Sequence, residues 1–264
     1  MKKRVSHNDA KVWNAGMKNR FVLIRGLARG NAHWADFTNN LISIHPNLTI
    51  ELLEIPGNGD RNREVTPIDA SQIIEHFRRD LNLAQSCSPV RLIGISLGGM
   101  LALKWAELYP QDLESVFVIN SSLRQFSSPF ERLSPGIYTL LLKALLSANP
   151  RKRESLVLKM IVNNPQIRKQ YLNQFTELSI QNPISLQNFI RQLLLAASIN
   201  VSLSPTVPLR VITSKKDKMV HFRSSLKIAQ AFAGKLHIHP TAGHDIPLDD
   251  PEWLAEILLD GYTC

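Results

Sequence analysis

The stretch VRLIGISLGGM, Val90 to Met100, begins as a strand and breaks into glycines around a single serine. Gly94-Ile95-Ser96-Leu97-Gly98 fits G-x-S-x-G, a sharp turn that lifts a serine hydroxyl above the end of a sheet. The pattern alone is weak: with Gly and Ser each near about 7% of residues, it arises by chance in about one chain of this length in ten. Its flanks carry the weight. PVRLIGI (89–95) is a short apolar, β-branched run of the kind buried in parallel sheets. LGGMLALKWAELYP (97–110) has apolar residues at helical spacing and stops at Pro110. Strand, turn and helix favour a strained nucleophile over a plain Gly-rich turn.

Working outward, similar runs recur at RFVLIRG (20–26), LTIELLEI (48–55), LESVFVIN (113–120), LRVITS (209–214) and KLHIHP (235–240). Helical patterns at 33–44, 69–85, 98–109, 223–233 and 251–262 separate most of them. This alternation predicts an α/β fold with a mostly parallel sheet flanked by helices on both faces. Between 123 and 204 no strand pattern occurs, and a structureless loop of that length is implausible. Four helical patterns fill it, punctuated by Pro135, Pro150, Pro165 and Pro183. The expected organisation is a core of residues 1–122 and 205–264 with a helical cap, or lid, inserted at 123–204.

The chain of 264 residues, 44% hydrophobic and 20% charged, suits one α/β domain with an insertion. No apolar run approaches the roughly 20 residues of a membrane span, and MKKRVSHNDAKVWNAG lacks the apolar stretch of a signal peptide. Cys87 and Cys264 are too few for a disulfide framework or a zinc site. A cytoplasmic, monomeric or weakly dimeric protein without metal or organic cofactor is expected.

A serine hydroxyl needs a base, and the base needs a third group to hold its tautomer. His244 lies in PTAGHDIP, past the last strand run, where the chain order Ser, Asp, His of this motif class puts the base. His221 is a rival, while His237 and His239 alternate with Leu236 and Ile238 and read as structural. Asp217, in TSKKDKMV after LRVITS, is the expected acid, set against a solvated carboxylate among lysines. Asp112, Asp245 and Asp249 compete weakly. An oxyanion hole needs backbone N–H groups placed in advance; Leu97, directly after the serine, and Leu27, in the loop IRGLARGNAHW with Gly26 allowing close approach, are the expected donors.

On these residues the chain resembles the α/β-hydrolase fold superfamily, specifically its capped, serine esterase-like members, over nearly its whole length. The resemblance implies Ser96 as nucleophile, Asp217 as acid, His244 as base, and Leu97 with Leu27 as oxyanion donors; EIPGNGD (54–60) is similar to the family's D-x-P-G-x-G turn. A serine nucleophile argues against dehalogenase or epoxide hydrolase chemistry. Three departures stand out. Arg25 precedes Gly26 where such enzymes usually carry His, so it either puts a positive charge on the oxyanion loop or pairs with an acid such as Glu54. Glu54 replaces the turn's usual Asp. Only about twenty residues precede RFVLIRG, so the antiparallel strands at the sheet edge are expected to be short or partly missing. Arg25, Gly26 and His33, in NAHW, are the candidate substrate-binding residues, with His33 also read as a packing residue.

Residues 124–200 hold ten Lys or Arg against three Glu, +7 of the net +9. This is either a solvated face or a site for an acidic carrier or an anionic surface, with Arg151, Lys152 and Arg153 as a dense run distant in sequence from the triad. No basic motif interleaved with aromatics points to nucleic acid. The expected function is hydrolysis of a carboxylic ester or thioester of a small or medium acyl group through an acyl-enzyme. A C–C bond hydrolase or acyltransferase on the same triad, and a non-catalytic binding or regulatory protein with the same fold, are the alternatives.

Overall fold

The computed structural model describes residues 20–83 and 88–260. Each apolar run forms a strand: β1 Arg20–Ile24, β2 Thr49–Leu53, β3 Val90–Ile95, β4 Leu113–Ile119, β5 Leu209–Ser214 and β6 Lys235–His239. All pairings are parallel, in the order β2-β1-β3-β4-β5-β6. The near-continuous apolar runs occupy the centre, where both faces are covered; β2 and β6, with Thr, Glu, Lys and His among their residues, lie at the edges. Among the described residues the path runs from β1 out to β2 and returns past β1 to β3. This reversal opens a crevice at the carboxyl ends of β1 and β3, the place where open parallel sheets bind ligands.

Alternate residues of each strand feed opposite layers. Val22, Leu92, Val116 and Val211 pack with Ile73, Phe77, Trp105 and Ile228, from helices α2 (Ala70–Asp80), α3 (Leu97–Leu108) and α8 (Arg223–Ala231). Phe21, Ile93, Phe117 and Ile212 pack with Phe37, Leu41, Leu254 and Leu258, from α1 (Phe37–Ile44) and α9 (Pro251–Leu259). The helix expected at 33–44 is split: a 3-10 turn, Asn31–Trp34, is separated from α1 by Ala35 at φ 49°. α9 closes at Leu259, short of the expected 262. All strand pairs among the described residues are parallel; the segment expected to carry edge strands, His7, Cys87 and Cys264 lie outside those residues.

Between β4 and β5 stand α4 (Tyr138–Leu145), α5 (Pro150–Ile161), α6 (Pro165–Gln181) and α7 (Leu186–Ser198). The punctuation seen in the sequence works as helix starts. Pro150 and Pro165 open α5 and α6, where a missing N–H costs nothing, and Asn149, Asn164 and Ser185 cap α5, α6 and α7 through their side-chain oxygens. α4, α5 and α6 contribute to one apolar cluster around Ile137, Leu158, Tyr171 and Phe175, whereas Leu195 of α7 packs with the sheet-face residues of α2, α3 and α8. No helix among the described residues is long and apolar enough to cross a membrane.

Candidate active site

Ser96 sits in the turn between β3 and α3 at φ 56° and ψ −115°, a conformation that costs a non-glycine residue roughly 1–3 kcal/mol. The sheet holds it there. Its N–H donates to Ile119 O (2.8 Å), and Ser121 Oγ donates to Ser96 O (2.7 Å). A Cβ built on Gly94 would lie 2.2 Å from Gly98 O, and one on Gly98 would lie 2.3 Å from Ile24 O. The two motif glycines are therefore where β3, α3 and β1 meet backbone to backbone.

The loop after β1 runs directly past the serine: a Cβ on Gly26 would come 3.0 Å from Ser96 Cβ. Arg25, Gly26 and Leu27 line the same pocket as Ser96. The Ala28 N–H in this loop is taken by Gln192 Oε1 at 2.9 Å. Leu97 is the first residue of α3, so its N–H belongs to the electropositive end of a twelve-residue helix.

His244 and Asp217 meet as expected. His244 Nδ1 lies 2.8 Å from Asp217 Oδ2, with the side chains 8% and 0% exposed. Asp217 is thus no solvated carboxylate: its Oδ1 accepts the N–H groups of Met219 (2.7 Å) and Val220 (3.0 Å). Donation from Nδ1 to Asp217 leaves Nε2 as the acceptor of neutral His244. Burial disfavours the charged ring, but Asp217, aided by Asp245, outweighs it and raises the His244 pKa above 6.5. Ser96 and His244 line one pocket of about 170 Å³.

Asn120, which the sequence reading passed over, and Asp249, which it weighed only as a rival acid, hold this geometry. Asn120, at φ 45° just past β4, donates to His244 O (2.8 Å) and accepts the Ser214 N–H (2.9 Å), clamping the histidine loop to the end of β5. An Asn directly after an apolar strand run was the available signal, because Asn tolerates the left-handed region. Asp249 accepts the Gly243 N–H (2.6 Å) and the N–H groups of Asn163 and Asn164, tying the same loop to the end of α5.

The expectations for Arg25 and His33 are corrected, and the rival acids and histidines are engaged elsewhere. Arg25 pairs with Asp245, not Glu54, through two contacts of 3.2 and 2.5 Å, and its guanidinium lies 4.8 Å from the centre of the Trp34 ring. Both partners are buried, so the pocket carries no free charge from Arg25. Glu54 instead accepts the Asn31 N–H at 3.0 Å, and burial raises its pKa. Asp112 is occupied by Arg78 and Trp105 Nε1. The Nδ1 of His221 accepts the Arg223 N–H, and His239 is held between Asp250 and the Thr241 and Ala242 amides. His33 does not line the Ser96 pocket but a neighbouring one, packed against Phe175. Arg153, distant in sequence, does line the Ser96 pocket.

Residues 66–251 match the family model described as "Serine aminopeptidase, S33". The chain is 21% identical to human (Homo sapiens) monoacylglycerol lipase ABHD6, over 93% of this chain and 75% of that protein. Among solved structures it is similar to the enol-lactonase from Burkholderia xenovorans LB400 (17% identity, TM-score 0.72, covering 92% of this chain and 90% of that one). It is also similar to a thermophilic esterase from Thermogutta terrifontis (15% identity, TM-score 0.71, covering 93% and 90%).

Proposed function

Because the chain belongs to the serine aminopeptidase family of the α/β-hydrolases, we propose that it is a serine hydrolase that cleaves a carboxylic ester or thioester through an acyl-enzyme. The observation that carries this reading is the buried Asp217–His244 pair at 2.8 Å, lining one pocket with a serine held at positive φ. His244 Nε2 takes the Ser96 proton as Oγ attacks the carbonyl carbon, and the N–H groups of Leu97 and Leu27 receive the oxyanion. The proton passes to the leaving alcohol or thiol as its bond to the acyl carbon breaks. Water, deprotonated by His244, then releases the acid and restores Ser96. Residues 123–204 act as the cap that roofs this pocket, supported by the contribution of Leu141, Ala144, Leu145, Val157 and Phe189 to its lining.

Charge separates ester from peptide substrates. An aminopeptidase site needs a carboxylate for the substrate's α-ammonium group, and the two acids lining this pocket, Glu154 and Asp245, are already paired with Arg29 and Arg25. The apolar cap side chains suit an acyl chain instead. A panel of p-nitrophenyl esters of increasing acyl length, run beside acyl thioesters and an aminoacyl p-nitroanilide, tests this. Ester or thioester turnover with an optimum at small or medium acyl length is expected. Preference for the anilide, or no turnover of any substrate, would contradict it.

The cap also supports a reading of its partner. None of the ten Lys or Arg in 124–200 forms an ion pair among the described residues, because Glu131 pairs with Lys227 and Glu154 with Arg29. Tyr138, Leu142 and Leu146 on α4 and its end, and Leu186, Ile190 and Leu194 on α7, are exposed at helical spacing. Unpaired positive charge beside exposed apolar helix faces suits an anionic lipid surface better than an acidic carrier protein.

A further inference from the structure

Beside the Ser96 pocket lies a second one, of about 100 Å³, and the two share Ala28, Arg29, Arg153, Glu154 and Ile184. The Arg29–Glu154 ion pair, at 2.9 Å, stands between them, its side chains 10% and 7% exposed. That pair commits only Nη1 of Arg29; Nη2 is buried without a partner.

His33, in the same wall, leaves a second donor unpaired. Its Nδ1 lies 3.1 Å from the Gly30 nitrogen, whose N–H points at it, and 3.2 Å from the Gly30 carbonyl oxygen. An N–H can only donate, so Nδ1 is the acceptor and the ring proton sits on Nε2. Nε2 is buried and has no partner. Burial, followed by the charges of Arg29 and Arg25, holds the His33 pKa well below 6.5, so the ring is neutral. Asn31 supplies the complement: Nδ2 donates to Leu52 O (3.2 Å), while Oδ1 is buried and unpartnered. Other polar groups of this pocket are engaged, Asn58 with Arg29 O and Gln192, and Asn182 with Asp60.

Buried polar groups are normally paired, and the two donors and one acceptor left unpaired belong to three residues of one cavity wall, so a ligand reaching them would carry the complementary groups. The local charge narrows its class. Arg29 and Arg153 are balanced by Glu54, Asp60 and Glu154, so a full anion meets three carboxylates as well as two arginines. A hydroxyl can accept from Arg29 and His33 and donate to Asn31.

We propose that this second pocket binds a neutral, hydroxylated end of the substrate whose ester bond lies at Ser96, with Arg29 Nη2 and His33 Nε2 donating and Asn31 Oδ1 accepting. The proposal rests on the reading of Ser96 as the reacting group. The hydroxyls belong either to the alcohol portion or to the far end of the acyl portion.

The test compares kcat/KM for matched ester pairs. One arm sets a 2,3-dihydroxypropyl ester against the propyl ester of the same acid, and the other sets an ω-hydroxyacyl methyl ester against the plain acyl methyl ester. The wild-type protein should favour the hydroxylated member of one arm by about tenfold or more. His33→Asn keeps an acceptor near the position of Nδ1 and removes Nε2; it and Asn31→Ala should collapse that ratio toward one, with folding checked by thermal unfolding. Calorimetry on Ser96→Ala with an alkyl glyceryl ether, the plain alkyl propyl ether and an ω-hydroxyalkyl methyl ether reads the same preference without turnover. A binding preference lost in the His33→Asn, Ser96→Ala double variant supports the pocket even if no ester is cleaved. Ratios near one in both arms with no binding preference, or a preference unchanged in the folded variants, overturn it.

Discussion

Ser96 and His244 depend on neighbours that fix backbone and tautomer rather than on their own chemistry. Asp217→Asn keeps the size of the side chain but removes the charge that outweighs burial in raising the His244 pKa. It also favours the wrong ring tautomer, a loss of up to about 10⁴ in kcat in the best-studied triad. His244 must be neutral to accept the serine proton, so activity is lost as pH falls through its pKa; the acid limb of kcat/KM in the wild-type protein should lie above 6.5. In Asp217→Asn, kcat should fall by orders of magnitude and the limb should move to lower pH, as steady-state kinetics across pH can read. A loss under about tenfold would mean that His244 has another partner. The three positions proposed as the triad were legible because each follows a strand run in a fixed chain order. Arg25 was legible as a departure, but its partner was not. Asp245 lies 220 residues away, and their contact depends on how two loops fold over the sheet.

The strands and long helices were readable because burial leaves a period in the sequence, two for the sheet and 3.6 for the helices. Where backbone geometry rather than burial decides, the reading fell short: the break at Ala35, at φ 49° and ψ −129°, leaves no apolar period in the sequence. The motif glycines give a test at this scale. Gly98→Ala puts a methyl 2.3 Å from Ile24 O and 2.7 Å from Arg25 O, backbone atoms that give way only if α3 moves off β1. It should destabilise by about 1–3 kcal/mol or more, as overpacking does, and lower kcat by shifting Ser96 from the Leu27 loop. Gly136, with nothing within 4 Å of the added methyl, is the control: Gly136→Ala should leave both the unfolding curve and kcat unchanged.

Across the whole molecule, the uneven charge was plain in the sequence, but which bases face solvent was not. Arg153 turns inward to the Ser96 pocket, whereas Lys159 and Lys169 are exposed on α5 and α6 with Arg168 beside them. Reversing Lys159, Arg168 and Lys169 to Glu should weaken co-flotation with vesicles containing anionic lipid, and added salt should do the same, because attraction at exposed sites is screened within about 8 Å at physiological ionic strength. Vesicles of neutral lipid should bind weakly in every case. Equal binding to both vesicle types, or none, would leave the basic residues of 124–200 a solvated face. The central claim, that the fold exists to hold Ser96 as an activated nucleophile, is tested most directly by mapping the site of covalent labelling with a fluorophosphonate. A single adduct on Ser96 is expected, lost together with ester turnover in Ser96→Ala. An adduct on a different residue, or turnover that survives in Ser96→Ala, would contradict it.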